Sequence, residues 1–217
     1  MIPNVEAIIN SHTMAVMRGK LGPDSGRCPN CERQGAVFSL HEKRVRQFLV
    51  IMVDVVKRMS SLLIRWKCLG CKKTFTEYPE FALPYKRHVK ATVMALSRKY
   101  VGNEGDRPGR VTYEAAVKVD GLRLGYVDNA GAALDDYLAP KTVWRWIGFL
   151  GGGKWLETML RMIKEKAPQT DIFRQIKPVP PDKYRSEARQ LILSRCLKFL
   201  EAGALFQELF GFSLTSP

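Results

Sequence analysis

Apolar positions in this chain follow three regimes in turn: helical spacing, then alternating or continuous runs, then helical spacing again. Val5, Ile8 and Ile9, with His12 a turn further on, predict an N-terminal helix of about two turns. Gly19, Gly22, Pro23 and Gly26 then interrupt regular structure. Residues 36–40 read as a short strand. Over residues 46–56 two periods compete: the β-branched content favours a strand, while Val45, Phe48, Leu49, Met52, Val53 and Val56 also form a helical stripe. The strand is preferred, in a long hairpin pairing 46–53 with 62–67, and residues 74–76 supply a third strand. Residues 78–84, with Pro79, Phe81 and Pro84, make a stiff connector.

Helical spacing returns after Pro84, which suits the first position of a helix over 85–100 buried on Val89, Val93, Leu96 and Tyr100. Thr112 is placed to cap a short helix over 113–117. Residues 121–133 are glycine-rich and read as irregular, a wing or an insertion. Pro140 opens a helix in which Val143, Trp146, Ile147 and Leu150 fall at i, i+3, i+4 and i+7, ended by Gly151, Gly152 and Gly153. A further helix over 154–166 buries Leu156, Met159, Leu160 and Ile163. A proline-rich connector with Pro168, Pro178, Pro180 and Pro181 leads to a helix capped by Asp182 or Ser186 and closed by Gly203. Residues 204–210 form a tail helix whose Leu205, Phe206, Leu209 and Phe210 pack into the core or offer a partner or dimer surface. The expected fold is α+β, divided as 1–27 (helix and arm), 28–83 (small β-domain), 84–150 (helical) and 151–217 (helical).

The most specific chemistry lies in the β-region. Two Cys-x-x-Cys pairs, Cys28-Pro29-Asn30-Cys31 and Cys68-Leu69-Gly70-Cys71, are separated by 36 residues. Each pair sets two thiolates on one tight turn, as a tetrahedral four-sulfur Zn2+ site requires. Pro29, Asn30 and Gly70 suit the reversals, and Lys67, Lys72 and Lys73 would offset the thiolate charge. Disulfides would need an oxidising compartment, yet the first ten residues carry Glu6 and no basic residue ahead of the apolar stretch, unlike a secretory signal. A redox Cys-x-x-Cys explains one pair and leaves the other idle. Structural zinc in a three-stranded ribbon is therefore expected, with no coordination position open for catalysis. His12 is expected to be a surface or packing residue rather than a ligand, and Cys196, among apolar neighbours, to be a buried inert thiol.

Charge adds a partner class. The 217 residues carry 35 Lys+Arg against 21 Asp+Glu, a net charge of +14, which points to a polyanion, nucleic acid before an anionic membrane. The excess is spread out, with 13 basic and 7 acidic residues in 1–83 and 11 and 7 in each of 84–150 and 151–217. No apolar run approaches the ~18 residues that span a bilayer, so a soluble cytoplasmic protein is expected. On the helix from Pro140, Lys141, Thr142 and Arg145 fall opposite the buried stripe near its start, where a helix-turn-helix recognition helix reads bases. Lys86, Arg87 and Lys90 would hold the phosphate backbone. Basic residues studding the ribbon (Arg44, Arg46, Lys57, Arg58 and Arg65) read equally as a solvated face or as phosphate contacts.

The two cysteine pairs lead through T-F-T-x-x-P-x-F-x-L-P-Y-K-R (residues 74–87) to P-K-T-V-W-R-W (140–146). This order resembles an uncharacterised bacterial zinc-ribbon/helix-turn-helix family and is similar to the N-terminal DNA-binding regions of insertion-sequence transposases. The resemblance covers residues 28–150 and implies double-stranded DNA binding in transposition, as a transposon accessory or regulator. The long gap between Cys31 and Cys68, and residues 121–137 inside the helix-turn-helix region, depart from the family pattern.

No enzyme chemistry is called for. Gly151-Gly152-Gly153-Lys154 lacks the spacing and the Ser/Thr of a phosphate-binding loop. His12, His41 and His88 neighbour no serine motif, and Asp120, Asp128, Asp135 and Asp136 lack metal-ligand spacing; no strand is expected to carry paired acids. Two other readings stay open beside the DNA reader: a protein-interaction adaptor in a transposition or transcription complex, and a transposase or nuclease remnant. An RNA target stays open too, since basic zinc ribbons bind either nucleic acid.

Overall fold

The N-terminal apolar repeat runs further than two turns. Val5–Met17 is a 13-residue helix, α1, whose N-cap Asn4 accepts a hydrogen bond from the Ala7 N–H at 3.1 Å. The computed structural model describes residues 4–23, 26–102, 111–128, 130–152, 155–173 and 185–210. The chain divides into two units, the first formed by 1–90, 126–134 and 215–217, the second by 91–125 and 135–214.

In the first unit α1 lies on a three-stranded antiparallel ribbon. Strand β1 (Phe38–Met52) pairs with β2 (Val55–Cys68), and β2 with β3 (Thr74–Glu77). The strand reading of residues 46–52 holds, but the register differs from expectation. Met52 faces Val55 and Arg46 faces Ser61, so residues 62–67 oppose 39–45 rather than 46–53. The hairpin closes in two residues, with Val53 at φ 56°, and Val53-Asp54 lacks the Asn-Gly chemistry that advertises such a turn. Below the turn, Phe48, Val50, Met59 and Leu63 pack with Phe81, Ala82 and Val89 and with Val5 and Ile9 of α1. Phe48 meets Phe81 edge to face at 5.1 Å. His12 is a packing residue, as expected. Its Nε2 lies 3.0 Å from the Leu62 carbonyl, its ring meets Phe81, and burial lowers its pKa despite that hydrogen bond. Strands β6 (Gly125–Val127) and β7 (Ala133–Tyr137) extend the sheet in the order β1-β2-β6-β7, with β3 also on β2.

The expected helix over 85–100 begins later, as α2 (Lys90–Val101). Residues 87–89 instead form a parallel bridge with β1: the Leu49 N–H donates to the Arg87 carbonyl at 3.0 Å, and the Val89 N–H to the Leu49 carbonyl at 3.1 Å. Those backbone bonds compete directly with a helical turn, and Tyr85 at φ 60° breaks it. Pro84 therefore closes the connector instead of opening a helix.

In the second unit α2 buries Val93, Leu96 and Tyr100, the stripe read from its spacing. The short helix α3 (Tyr113–Ala116) is capped by Thr112, whose hydroxyl accepts from the Ala115 N–H at 3.1 Å. The glycine-rich stretch after it is not irregular. Strands β4 (Lys118–Val119) and β5 (Leu122–Arg123) form a hairpin across Asp120-Gly121, at φ 49° and 82°, the positive pair that a two-residue turn demands. The helices α4 (Pro140–Gly152), α5 (Trp155–Lys166) and α6 (Arg185–Phe210) complete the unit, with a 3-10 turn at Asp171–Phe173. The stripes of α4 and α5 are buried as expected.

Two boundaries shift for one reason: packing outweighs glycine's ~1 kcal/mol helix penalty. Helix α6 runs unbroken through Gly203, because Ala202 and Phe206 on either side of it are fully buried; Ser186 lies inside it, while Asp182, Pro178, Pro180 and Pro181 fall outside the described residues. Helix α4 continues through Gly151, where α6 presses closest. A Cβ at Gly151 would stand 2.2 Å from the Ile192 carbonyl oxygen and 2.9 Å from the Cys196 nitrogen. Arg195, only 5 % exposed, reaches across from α6, donating to the Gly151 carbonyl at 2.7 Å and pairing with Glu157 at 2.8 Å.

This contact yields a paired test. Gly151→Ala is expected to destabilise by the ~1–3 kcal/mol typical of overpacking, whereas Gly152→Ala, exposed with nothing within 4 Å of its Cβ position, is expected to gain up to ~1 kcal/mol of helix propensity. Thermal melts should move in opposite directions by roughly 2–4 °C per kcal/mol. A melt of Gly151→Ala equal to or above the wild type would contradict the close approach of α4 and α6.

Candidate functional site

The two cysteine pairs fold into knuckles of the same design. In the first, the Cys28 N–H donates to the Arg33 carbonyl at 3.2 Å and the Glu32 N–H to the Cys28 carbonyl at 2.8 Å. In the second, Cys68 N–H to Lys73 and Lys72 N–H to Cys68 repeat the pattern at 3.0 and 2.9 Å. The residue after each second cysteine, Glu32 at φ 56° and Lys72 at φ 63°, makes the reversal, a role the sequence had suggested for Pro29, Asn30 and Gly70. Gly70 serves a different purpose: a Cβ there would sit 3.2 Å from the Arg33 guanidinium, so glycine leaves room for a cation beside the sulfurs. The Leu69 N–H, bonded to the Val37 carbonyl at 3.0 Å, ties one knuckle to the other.

All four Sγ atoms of Cys28, Cys31, Cys68 and Cys71 lie within 4.8 Å of one another. Cys28 and Cys71 stand 3.8 Å apart, far beyond a disulfide bond and equal to the ~3.8 Å edge of a tetrahedron with ~2.3 Å metal–sulfur bonds. The acidities of these two thiols diverge. Burial opposes ionisation of Cys28, but the Cys31 and Asn30 N–H groups and the neighbouring thiols outweigh it and bring its pKa down to about 7. At Cys71 the Lys73 N–H favours the thiolate, yet burial and the three other sulfurs push its pKa up to about 11. Four thiolates at this distance repel one another unless a metal ion neutralises them. The donor set and spacing thus fit a metal ion held by four cysteines. Cys196 stands apart, its thiol raised to about 12 by burial.

The other predicted residues fall into two groups, one in each unit. Lys141 and Arg145 are exposed on the first two turns of α4, opposite buried Val143, Trp146, Ile147 and Leu150, and Thr142 is half-buried between them. In the first unit Lys86 and Arg87 lie on the extended segment beside β1, not on a helix, and the Lys86 carbonyl accepts from Arg46 at 2.9 Å. Arg87 is exposed. Lys90 is the correction: its ammonium is buried without a hydrogen-bond partner among the described residues, and burial, partly offset by Glu80, lowers its pKa to about 8. It does not stand with the surface cations. Nor do α3 and α4 meet through a tight turn. They pack together, but strands β4 to β7 lie between them in the chain.

Two features escaped the sequence reading. Asp135 and Asp136 do share a strand, β7, although adjacent strand positions face opposite sides and the two carboxylates diverge. Beside α4, Tyr113, Trp144 and Arg189 come together: the Arg189 guanidinium lies 5.4 Å from the Trp144 ring centre and 5.7 Å from that of Tyr113. Trp144 lay off the apolar stripe, which was the available signal; Arg189 is too distant in sequence to be found that way. Elsewhere, His88 is buried, and burial together with the charge of Arg87 holds it near pKa 4, so it stays neutral at physiological pH. Among the described residues no helix is long and apolar enough to cross a membrane.

No curated protein and no solved structure matches the chain. Residues 28–109, beginning at the first cysteine of the cluster and running past the end of α2, match the family model of a domain of unknown function, DUF6431.

Proposed function

We propose that this is a cytoplasmic DNA-binding protein, stabilised by Zn2+ at Cys28, Cys31, Cys68 and Cys71, that reads duplex DNA with the first turns of α4. The observation that carries the reading is the exposure of Lys141 and Arg145 on a helix locked from behind by four buried side chains and by α6. Such a helix presents cations in fixed geometry, which base reading requires and a flexible basic tail lacks. Arg145 would pair with guanine, worth ~1–3 kcal/mol of discrimination; Lys86 and Arg87 would contact phosphate. A four-cysteine tetrahedron suits zinc, and with every position filled by protein the ion holds the fold and leaves catalysis no site. The link to transposition rests on the resemblance of residues 74–87 and 140–146 to transposase DNA-binding regions.

A second reading, a protein-interaction adaptor, draws on β1. Leu40 and Val45 of β1 are 51 % and 73 % exposed, and over residues 38–47 the outer edge of β1 pairs with no strand among the described residues. Such an edge is a template for strand addition.

Two measurements test the proposal. Purified protein is expected to carry one zinc per chain by elemental analysis, and Cys28→Ser/Cys68→Ser to carry none and to melt at lower temperature; full metal retention by the double variant would remove the site. Selection of bound duplexes from a random library at two salt concentrations is expected to enrich one motif that survives the higher salt, where phosphate-only binding collapses. Arg145→Ala should relax that motif, while Lys86→Ala should weaken all duplexes alike and reduce the salt slope by about one. Absence of any enriched motif would favour the adaptor.

A further inference from the structure

The face of α4 that meets α3 and α6 opens a cavity of about 710 Å3 within the second unit, inside the ~300–1,000 Å3 range of small-molecule sites. Its walls are Tyr113 of α3, Pro140, Lys141 and Trp144 of α4, and Arg189 and Ile192 of α6. The aromatic walls are held stiffly. Tyr113 stacks on Tyr100 at 3.9 Å and 9°, and Trp144 meets Tyr113 nearly at right angles, 6.1 Å away. Trp144 is only half-buried, although it is the largest side chain on the wall.

Among the described residues no carboxylate lines the cavity, and neither Lys141 nor Arg189 forms an ion pair. Arg189 bonds the hydroxyls of Tyr100 and Tyr113 at 3.4 and 3.5 Å, the long limit for such bonds, which leaves most of its five donors for another acceptor. A wall of flat π surface flanked by two unpaired cations matches one ligand chemistry: a planar ring that carries an anionic group. A purely apolar partner would leave the charges uncompensated, and a sugar would meet no carboxylate.

We propose that this cavity binds a nucleotide, its base against Trp144 and its phosphate between Lys141 and Arg189. One source of that chemistry is an unpaired nucleotide in a strand bound along α4, a case that rests on the duplex-reading proposal; the other is a free mononucleotide. The shared wall residue Lys141 and the exposure of Arg145 beside it favour the strand.

The test uses the full chain and two labelled duplexes that differ only in one unpaired adenine, followed by anisotropy, with adenosine 5′-monophosphate titrated separately by calorimetry. Base–aromatic stacking predicts about tenfold or more in favour of the bulged duplex, a ratio that Arg189→Gln and Trp144→Leu should bring close to one. Adenosine monophosphate that binds one per chain, and loses affinity in both variants, while the two duplexes bind alike, would assign the cavity to a free nucleotide. If no duplex binds but the nucleotide does, the DNA reading fails and the cavity stands. A wild type with no bulge preference and no nucleotide binding at millimolar concentration overturns the proposal, as do effects that persist undiminished in both variants. Arg189 is exposed on its helix, so Arg189→Gln decides alone should Trp144→Leu not fold.

Discussion

The mutual approach of four cysteine sulfurs is the constraint on which the first unit depends. Residues 29–35, the loop of the first knuckle, are exposed throughout, so burial of apolar surface offers them almost no stabilisation. What holds them is a short set of backbone hydrogen bonds and the sulfurs. The second knuckle joins the end of β2 to the start of β3, and the bond from Leu69 to Val37 leads into β1. One cation among the four thiols would therefore join a loop without a core to all three strands of the ribbon. Without it, four sulfurs within 4.8 Å of one another would have no counter-charge, and repulsion among thiolates would oppose the fold that the backbone favours.

The second unit solves a different problem by different means. Helix α4 ends on two glycines, Gly151 and Gly152, and Gly151 admits the backbone of α6 at a distance no side chain permits. Buried Arg195 then satisfies the Gly151 carbonyl and offsets its own charge with Glu157. The Glu157 side chain stays 60 % exposed, so the pair keeps one end in water while the guanidinium lies inside at 6 %. Close backbone approach and a paired arginine together make α4 rigid about its inner face, and rigidity there gives meaning to the positions of Lys141 and Arg145 on the outer one.

How much of this was legible in the sequence depends on how local the deciding physics is. The cluster of four cysteines was legible, because residue identity and the Cys-x-x-Cys spacing are local and chemically specific, whereas the reversals at Glu32 and Lys72 were not. The stripes of α2, α4 and α5 were legible for the same reason, since periodicity within one helix reports its buried face. The hairpin register was not: a reversal at Val53-Asp54 carries no turn signature, and pairing 46–53 with 62–67 left the turn somewhere in the residues between. The start of α2 was hidden because its competitor, the bridge of residues 87–89 to Leu49, lies almost forty residues away. Gly203 misled in the opposite direction, with local propensity overridden by the burial of Phe206.

Charge was the least legible feature, and the structure explains why a net +14 overstates the surface available to a polyanion. Many cations have structural partners. Lys43 donates to the Val16 carbonyl, Lys57 pairs with Glu6, Arg44 with Glu42, and Arg46 reaches the Lys86 carbonyl while lying over the Phe48 and Tyr78 rings. Lys90 and Arg195 are withdrawn from the surface. Cations used this way stabilise the fold through hydrogen bonds or cation–π contacts, and recruiting them to phosphate would cost those contacts. Among the described residues, Lys141 and Arg145 on α4 are exposed and outside these contacts. If α4 reads DNA as proposed, recognition would rest on a few cations held by that helix, and much of the remaining basic charge would serve to build the protein that holds them.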